Sequence, residues 1–283
     1  MNPHGVLRGG QRKNRDCPHF LSVLRNALVV ILLTLVLAAF RIPYSLDPDF
    51  LGIAIFLAFL AYLGFLFFLL SLKTGKVGVV VPVVSAQIII SSLIGFLFFD
   101  EVFEPLKIFS VGIVCLGIIL TSINFKDLKN SSLFSMESGI PYAILAALFW
   151  GVAFPYFSLP SKHLGAFFYA LLVEIVVLCS ALIHIFLKTR LKFLNTWVEA
   201  LKGQTLRSWL VIGVLTVLSA IGSVFLNLAY ETGQVSLVSA LQGSSSIISI
   251  ITAAFLYKEI LSKQQYIGAT LTVVGILLPV FFS

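Results

Sequence analysis

The feature that most constrains this chain is a series of apolar runs, each about 20 residues long and separated by short polar breaks. Residues 51–72, for example, carry no charged side chain. A helix rises about 1.5 Å per residue, so a run of this length matches the hydrocarbon thickness of a bilayer. Inside hydrocarbon every backbone N–H and C=O must be satisfied within the protein, which leaves only helices or closed barrels. A barrel strand alternates polar and apolar residues, and these runs do not alternate. The chain therefore reads as an all-α polytopic membrane protein. Composition rules out a soluble fold with an oversized core. Of the 283 residues 59% are apolar and 11% charged, against about 25% charged in soluble domains. Soluble enzymes, nucleic-acid binders and secreted disulfide domains are excluded on this ground. Cys17, Cys115 and Cys179 show no metal spacing and read as packing residues.

Nine segments are predicted to span: about 21–40, 50–72, 77–99, 106–124, 139–159, 165–187, 208–230, 234–257 and 265–282. Residues 1–19 read as a polar, disordered cytoplasmic tail, and the first span as an uncleaved signal anchor. Steps of 3, 3 and 4 between Leu191, Leu194, Trp197 and Leu201 predict a surface-lying amphipathic helix instead of a tenth span. Of the 19 Lys and Arg, only Arg41, Lys107 and Lys162 fall on the far side of this map. The asymmetry predicts a cytoplasmic N-terminus and an external C-terminus. It also explains the net charge of +7 without any nucleic-acid partner.

The chain contains an internal repeat. Shifted by 158 positions, residues 60–120 lie on 218–278 without a gap. Gly64 meets Gly222, Phe67 meets Phe225, Thr74-Gly75 meets Thr232-Gly233, Glu101 meets Glu259, and Gly117-Ile118 meets Gly275-Ile276. The shift passes five spans, an odd number, so the second copy enters the membrane in the opposite sense. Inverted repeats place a substrate site near the midplane between the copies. The predicted organisation is a first repeat over 20–125, a linker over 126–138 and a second repeat over 139–283.

Several segments carry a family resemblance. They are Ala146-Ala147-Leu148-Phe149-Trp150-Gly151, then Pro155 and a link containing Pro160, then Gly233-Gln234-Val235-Ser236 opening a span that ends Tyr257-Lys258-Glu259, and finally Gly268 to Gly275. The chain resembles the EamA-type branch of the drug/metabolite transporter superfamily over about residues 20–283. The resemblance implies two inverted copies of a five-helix unit, with Glu101 and Glu259 in the links before the last helix of each. It also implies export of amino-acid-like metabolites or drugs. The chain departs from the pattern in two ways. Its first copy has four helices, without a counterpart of 139–159, and its charge map reverses the usual family orientation.

Polar groups inside spans are costly and point to function. Glu174, about ten residues into its span, is the one acidic residue away from tails, links and span ends. It reads as a proton-coupling or amine-binding group, or else as a neutral carboxyl that packs helices. Arg25 aligns with Glu174 between the copies, which makes it a gating partner, or it snorkels to the headgroups. His184, on Glu174's helix, is a candidate proton relay. Ser236, Ser239, Gln242, Ser246 and Ser249 fall on one helical face and read as lining a substrate cavity. Asn227, Gln87, Trp150, Tyr142 and the weaker candidate Tyr156 are expected to join them. Tyr230, Tyr257, Tyr266 and Trp209 lie at span ends and read as interface anchors. Pro82 and Pro155 predict kinks, and Pro141 a first-turn proline.

Phosphate-loop, nucleophile-elbow and metal-site patterns all fail on spacing. The expectation is a non-enzyme without cofactor: a secondary transporter of a small polar metabolite working by alternating access, with protons as a candidate coupling ion. It would reside in a bacterial-type cytoplasmic membrane, with a homodimer open to it. The alternatives are a sugar or nucleotide-sugar carrier, and a non-transporting membrane scaffold or subunit.

Overall fold

A computed structural model of the chain describes residues 17–75, 77–99, 105–122, 138–189, 205–243, 248 and 263–282. Among the described residues all regular structure is helical: α1 Cys17–Phe40, α2 Pro48–Thr74, α3 Val77–Ser85, α4 Gln87–Phe98, α5 Pro105–Ser122, α6 Ile140–Tyr156, α7 Ser158–Leu164, α8 Ala166–Thr189, α9 Leu206–Thr232, α10 Val235–Gly243 and α11 Lys263–Phe282. Five stretches in them are long and apolar enough to cross a membrane: Ser22–Phe40, Pro48–Thr74, Ile140–Leu164, Ala166–Leu187 and Leu206–Thr232. Shorter apolar helices cover Val83–Phe98, Ile108–Gly117 and Tyr266–Gly275. The chain is an all-helical, multi-pass membrane protein of two repeats. The surface helix expected around 191–201, the Glu101 and Glu259 links and most of 244–262 lie outside the described residues.

Three expectations are corrected. Residues 17–19, assigned to the tail, form the first turn of α1. Pro18 is tolerated there because first-turn N–H groups have no intrahelical acceptor. The span at 77–99 is broken between α3 and α4. Pro82 offers no N–H, Ser85 Oγ bonds back to the Val81 carbonyl at 3.0 Å, and Ala86 N–H reaches only to Val83, three residues back, at 3.1 Å. The span at 139–159 extends to Leu164 with a break at Phe157, so Pro160 sits in helix α7 and not in a link. Pro155 interrupts the ladder there. Phe157 N–H turns to the Phe154 carbonyl at 3.0 Å, and Ser158 Oγ caps the Pro155 carbonyl at 3.0 Å. Gly139, at φ 76°, starts α6 in the left-handed region that a side chain disfavours, and Pro141 follows in the first turn as expected.

The helix bounds make the repeat explicit. Helix α9 repeats α2 at an offset of 158 at both ends, Pro48 to Leu206 and Thr74 to Thr232. Helix α10 repeats α3 at the same offset, Val77 to Val235 and Ser85 to Gly243, and α11 starts 158 residues after α5, Pro105 to Lys263. Helix α8 repeats α1 at an offset of 149, Cys17 to Ala166 and Phe40 to Thr189. The two offsets differ because the link before α9 is longer than the one before α2. This second offset puts Glu174 at the position of Arg25.

The repeat mates α5 and α11 pack on each other more extensively than any other described pair. Their contact is reciprocal. A Cβ on Gly117 would strike Thr272 and the Gly268 carbonyl, and one on Gly275 would strike Val114 and the Ser110 carbonyl, at 2.8 and 3.0 Å. Ser110 and Gly268 are repeat equivalents, as are Val114 and Thr272, so the same patch meets itself across a two-fold. Glycine permits this approach because lipid supplies no hydrophobic drive and close packing must hold the pair. The central core gathers Ala54, Leu57, Ala58, Ala61 and Tyr62 of α2 with Ala153 and Phe157 of the α6–α7 span and Tyr169 and Val173 of α8.

Gly117→Val and Gly275→Val should each destabilise the protein by about 1–3 kcal/mol through overpacking, read as a lower melting temperature in detergent. Gly112→Ala should not, because a Cβ there meets nothing within 4 Å.

Candidate functional site

Three polar clusters lie between the helices. The first joins α1, α8 and α9. Arg25 bonds inside the bundle. Its Nε donates to Asn26 Oδ1 at 3.1 Å, Nη2 donates to the same oxygen, and Nη1 donates to Ser219 Oγ at 3.3 Å. Glu174 lies close to Ser223 and within electrostatic reach of the Arg25 guanidinium. Ser219 and Ser223 are one turn apart on α9, so the two charged side chains approach the same helix one turn apart. No described ion pair within 4.0 Å joins them. Asn227 continues the network: its Nδ2 donates to the Ser223 carbonyl at 2.8 Å, and its Oδ1 accepts from Ser161 Oγ of α7 at 3.3 Å. Asn26 and Asn227 are both 1% exposed. Two asparagines buried this deeply in apolar spans persist only because their amides are bonded.

A small cleft opens beside this cluster between α1, α2 and α8. Ser22, Asn26, Tyr62, Leu66 and His184 are among its lining residues. His184 is exposed on its wall. Asn26 thus faces the cleft and holds Arg25 from behind.

The second cluster joins α9 and α10. Tyr230 is 0% exposed, so it is not the interface anchor expected from its place near a span end. Its hydroxyl donates to Gln242 Oε1 at 3.2 Å and shares a 3.3 Å bond with Ser239 Oγ. Trp209 and Tyr266, by contrast, are exposed. The third cluster joins α4, α6 and α10. Ser91 Oγ donates to the Gly151 carbonyl at 3.0 Å, and Ser92 Oγ to the Ser236 carbonyl at 3.5 Å. Gln87 is buried at the start of α4, and its Oε1 has no partner. The buried Tyr169 hydroxyl has none either.

The predicted site residues therefore divide. Arg25, Glu174 and Asn227 meet in one network; Ser239 and Gln242 meet in a second; Gln87 stands apart in the third. Trp150 is committed to the α2–α6 contact. Its Nε1 donates to the Ala61 carbonyl at 2.9 Å, and its ring fills the space beside Gly64 against Phe68 and Phe154. Tyr142 packs near Phe67, and Tyr156 near Phe99. Ser246, Ser249 and Tyr257 lie outside the described residues. Asn26, Ser219, Ser223 and Ser161 are participants that sequence reasoning missed. Asn26 carried a usable signal, a polar amide mid-span beside Arg25. The three serines carried none, because serine is common in membrane helices that bond only their own backbone. Among the described residues no group of three His, Cys, Asp or Glu could hold a metal ion.

Comparison with known proteins agrees with this architecture. The model described as the EamA-like transporter family matches residues 14–123 and 137–281. No curated protein matches the chain in sequence. A solved crystal structure aligns with a TM-score of 0.68 at 14% identity, covering 94% of this chain and 89% of that one. At that identity the likeness shows the fold alone.

Tyr230→Phe should cost about 1–3 kcal/mol, because Ser239 and Gln242 would be left in the interior without their partner. Thermal unfolding in detergent or nanodiscs reads this directly.

Proposed function

The chain belongs to the EamA-like transporter family, and from that premise we propose that it moves a small polar metabolite or drug by alternating access, with Arg25 and Glu174 as its gating pair. One observation carries this reading: the pair occupies equivalent positions in the repeat mates α1 and α8, and both members face α9, Arg25 bonding Ser219 and Glu174 lying close to Ser223. Opening the bundle on one side requires α1 or α8 to part from α9. The Arg25–Ser219 bond and the attraction between Arg25 and Glu174 resist that parting, and whatever weakens them favours it. A proton on Glu174 removes the charge that attracts Arg25. A substrate amine competes with Arg25 for the carboxylate, and a substrate carboxylate competes with Glu174 for the guanidinium. An amino-acid-like solute does both, which supports that class over a neutral sugar.

The cleft that reaches Asn26 supplies a route to the pair. Under the orientation favoured by the charge map, Ser22 and His184 lie toward the cytoplasmic ends of α1 and α8. The cleft is then an inward-facing vestibule, as export requires, and the residence is a cytoplasmic membrane with the N-terminus inside. His184 on its wall serves as a proton entry point. The unpartnered Gln87 and Tyr169 oxygens support a second conformation. Buried unsatisfied groups are expensive, and a state in which water or substrate reaches them recovers that cost.

Proteoliposome counterflow across pools of amino acids and related metabolites tests the reading. The intact protein should exchange at least one pool member at a rate that depends on pH. Glu174→Gln should lose the pH dependence and bind an amine-bearing solute more weakly. Arg25→Ala should slow exchange by about tenfold or more, the factor that 1.4 kcal/mol represents. Absence of exchange from every pool would sink the transporter reading. Undiminished pH dependence in Glu174→Gln would sink the proton role alone.

A further inference from the structure

The cleft between α1, α2 and α8 has a counterpart under the repeat. The offset of 149 carries α1 onto α8, and the offset of 158 carries α2 onto α9. These offsets turn Ser22 and Asn26 of the cleft into Leu171 and Ile175, and Tyr62 and Leu66 into Ala220 and Val224. Taken backwards, the first offset turns Ala181 into Leu32. All five counterparts belong to one packed cluster of α1, α8 and α9. Phe65 and Leu69 of the cleft wall become Ser223 and Asn227, which border that cluster in the network around Glu174.

The two places differ in state. Leu171 and Ala220 are buried, at 5% and 3% exposure, and α8 packs directly on α9. At the cleft the equivalent helices α1 and α2 both pack on α8 and stand apart from each other, which leaves the opening. Where one place is open the other is filled, although equivalent helices build both. They also lie toward opposite membrane faces. The cleft takes the N-terminal half of α1 and the C-terminal half of α8, and the cluster takes the reverse. The charged pair stands between them, Arg25 next to Asn26 of the cleft and Glu174 next to Ile175 of the cluster.

We propose that this cluster is the closed form of a second solute chamber, which faces the other side of the membrane and opens when the cleft closes. The proposal rests on the transporter reading, since it requires the opposite state to be visited. Inverted repeats supply the physical reason. Each copy can take the conformation that the other holds, and the exchange moves the opening from one face to the other. Leu171, Ile175 and Val224 make the chamber's walls, and Ser223 and Asn227 give it a polar edge. Each chamber then offers one buried amide, Asn26 in the cleft and Asn227 in the cluster. An amide has both donor and acceptor for the carboxylate and ammonium of an amino-acid-like solute. The chambers are unlike in one respect: Leu35 takes the place of His184 at the cluster, so of the two only the cleft carries an imidazole.

Thiol accessibility of the full chain in its membrane tests this, with Cys17, Cys115 and Cys179 replaced by Ser. A charged, membrane-impermeant thiol reagent is applied to one face at a time. Leu66→Cys should react from one face, and Leu171→Cys and Val224→Cys from the opposite face. Leu218→Cys, on a face of α9 that is 59% exposed and turned to lipid, should react from neither. In the double variant Leu66→Cys, Val224→Cys, a bulky reagent already fixed in the cleft should slow labelling at position 224 by about tenfold or more, because the cleft can no longer close. Unchanged melting temperatures confirm the fold of each variant, and two cluster positions guard against one that fails to fold. If Leu66→Cys reacts and neither cluster position does, the proposal is overturned. Reaction of cleft and cluster from the same face overturns it too, as does an unreactive cleft, or labelling at position 224 that is indifferent to the reagent in the cleft. Counterflow separates this failure from that of the transporter reading: solute exchange with unreactive cluster positions leaves transport standing and the second chamber refuted.

Discussion

The structure depends on one constraint: in hydrocarbon, every backbone N–H and C=O must find its partner inside the protein. The constraint makes the chain helical, and it also governs where the helices are allowed to break. At Ala86 and Phe157 the regular ladder fails beside prolines, and each failure is repaired on the spot by a three-residue backbone bond and a serine hydroxyl on a nearby carbonyl. A break of this kind is tolerable because it is paired within the bundle and not left facing lipid. The same logic sorts the side chains. Asn26, Asn227, Tyr230 and Ser239 are buried deeply, and each is bonded to a residue on its own or a neighbouring helix. These bonds therefore also decide which helices move together.

Two kinds of contact hold the repeats in register. Between α5 and α11 the contact is a reciprocal glycine fit, a rigid association of backbones at close range. Between α1, α8 and α9 it is a set of polar and charged contacts made by long side chains. The first has a single distance at which it works. The second tolerates changes of a few ångströms through rotamer changes and is sensitive to charge. A bundle that joins a stiff seam to a charge-dependent one has a natural division between the part that stays and the part that shifts.

Much of this was legible before any coordinates. The spans, the repeat and its offset follow from apolar length and from matched Thr-Gly and Gly pairs, signals that depend on local composition. Arg25 and Glu174 were legible because ionisable residues are rare inside spans. Tyr230 was misread since position near a span end is a statistical guide, whereas burial depends on where α10 returns to pack. Trp150 illustrates the same limit. Its mid-span place marked it as unusual, but only the approach of α2 at Gly64 commits the indole to a helix contact. Ser219 and Ser223 could not be singled out, because what distinguishes them from other serines is the long side chain arriving from another helix.

The position equivalence of Arg25 and Glu174 carries a further consequence. In a symmetric repeat the two copies of a helix carry like residues, and inward- and outward-facing states are related by exchanging their roles. Here one copy carries a cation and the other an anion at the same position. Exchanging the repeats therefore exchanges the signs, and the two states of the proposed cycle would differ in energy when both groups are charged. Neutralising Glu174 leaves Arg25 alone and changes that difference. Under the proposed alternating access, a charge pair placed across the repeat would bias the equilibrium in a way that protonation adjusts, while the glycine seam between α5 and α11, reciprocal and free of ionisable groups, would contribute equally to both states.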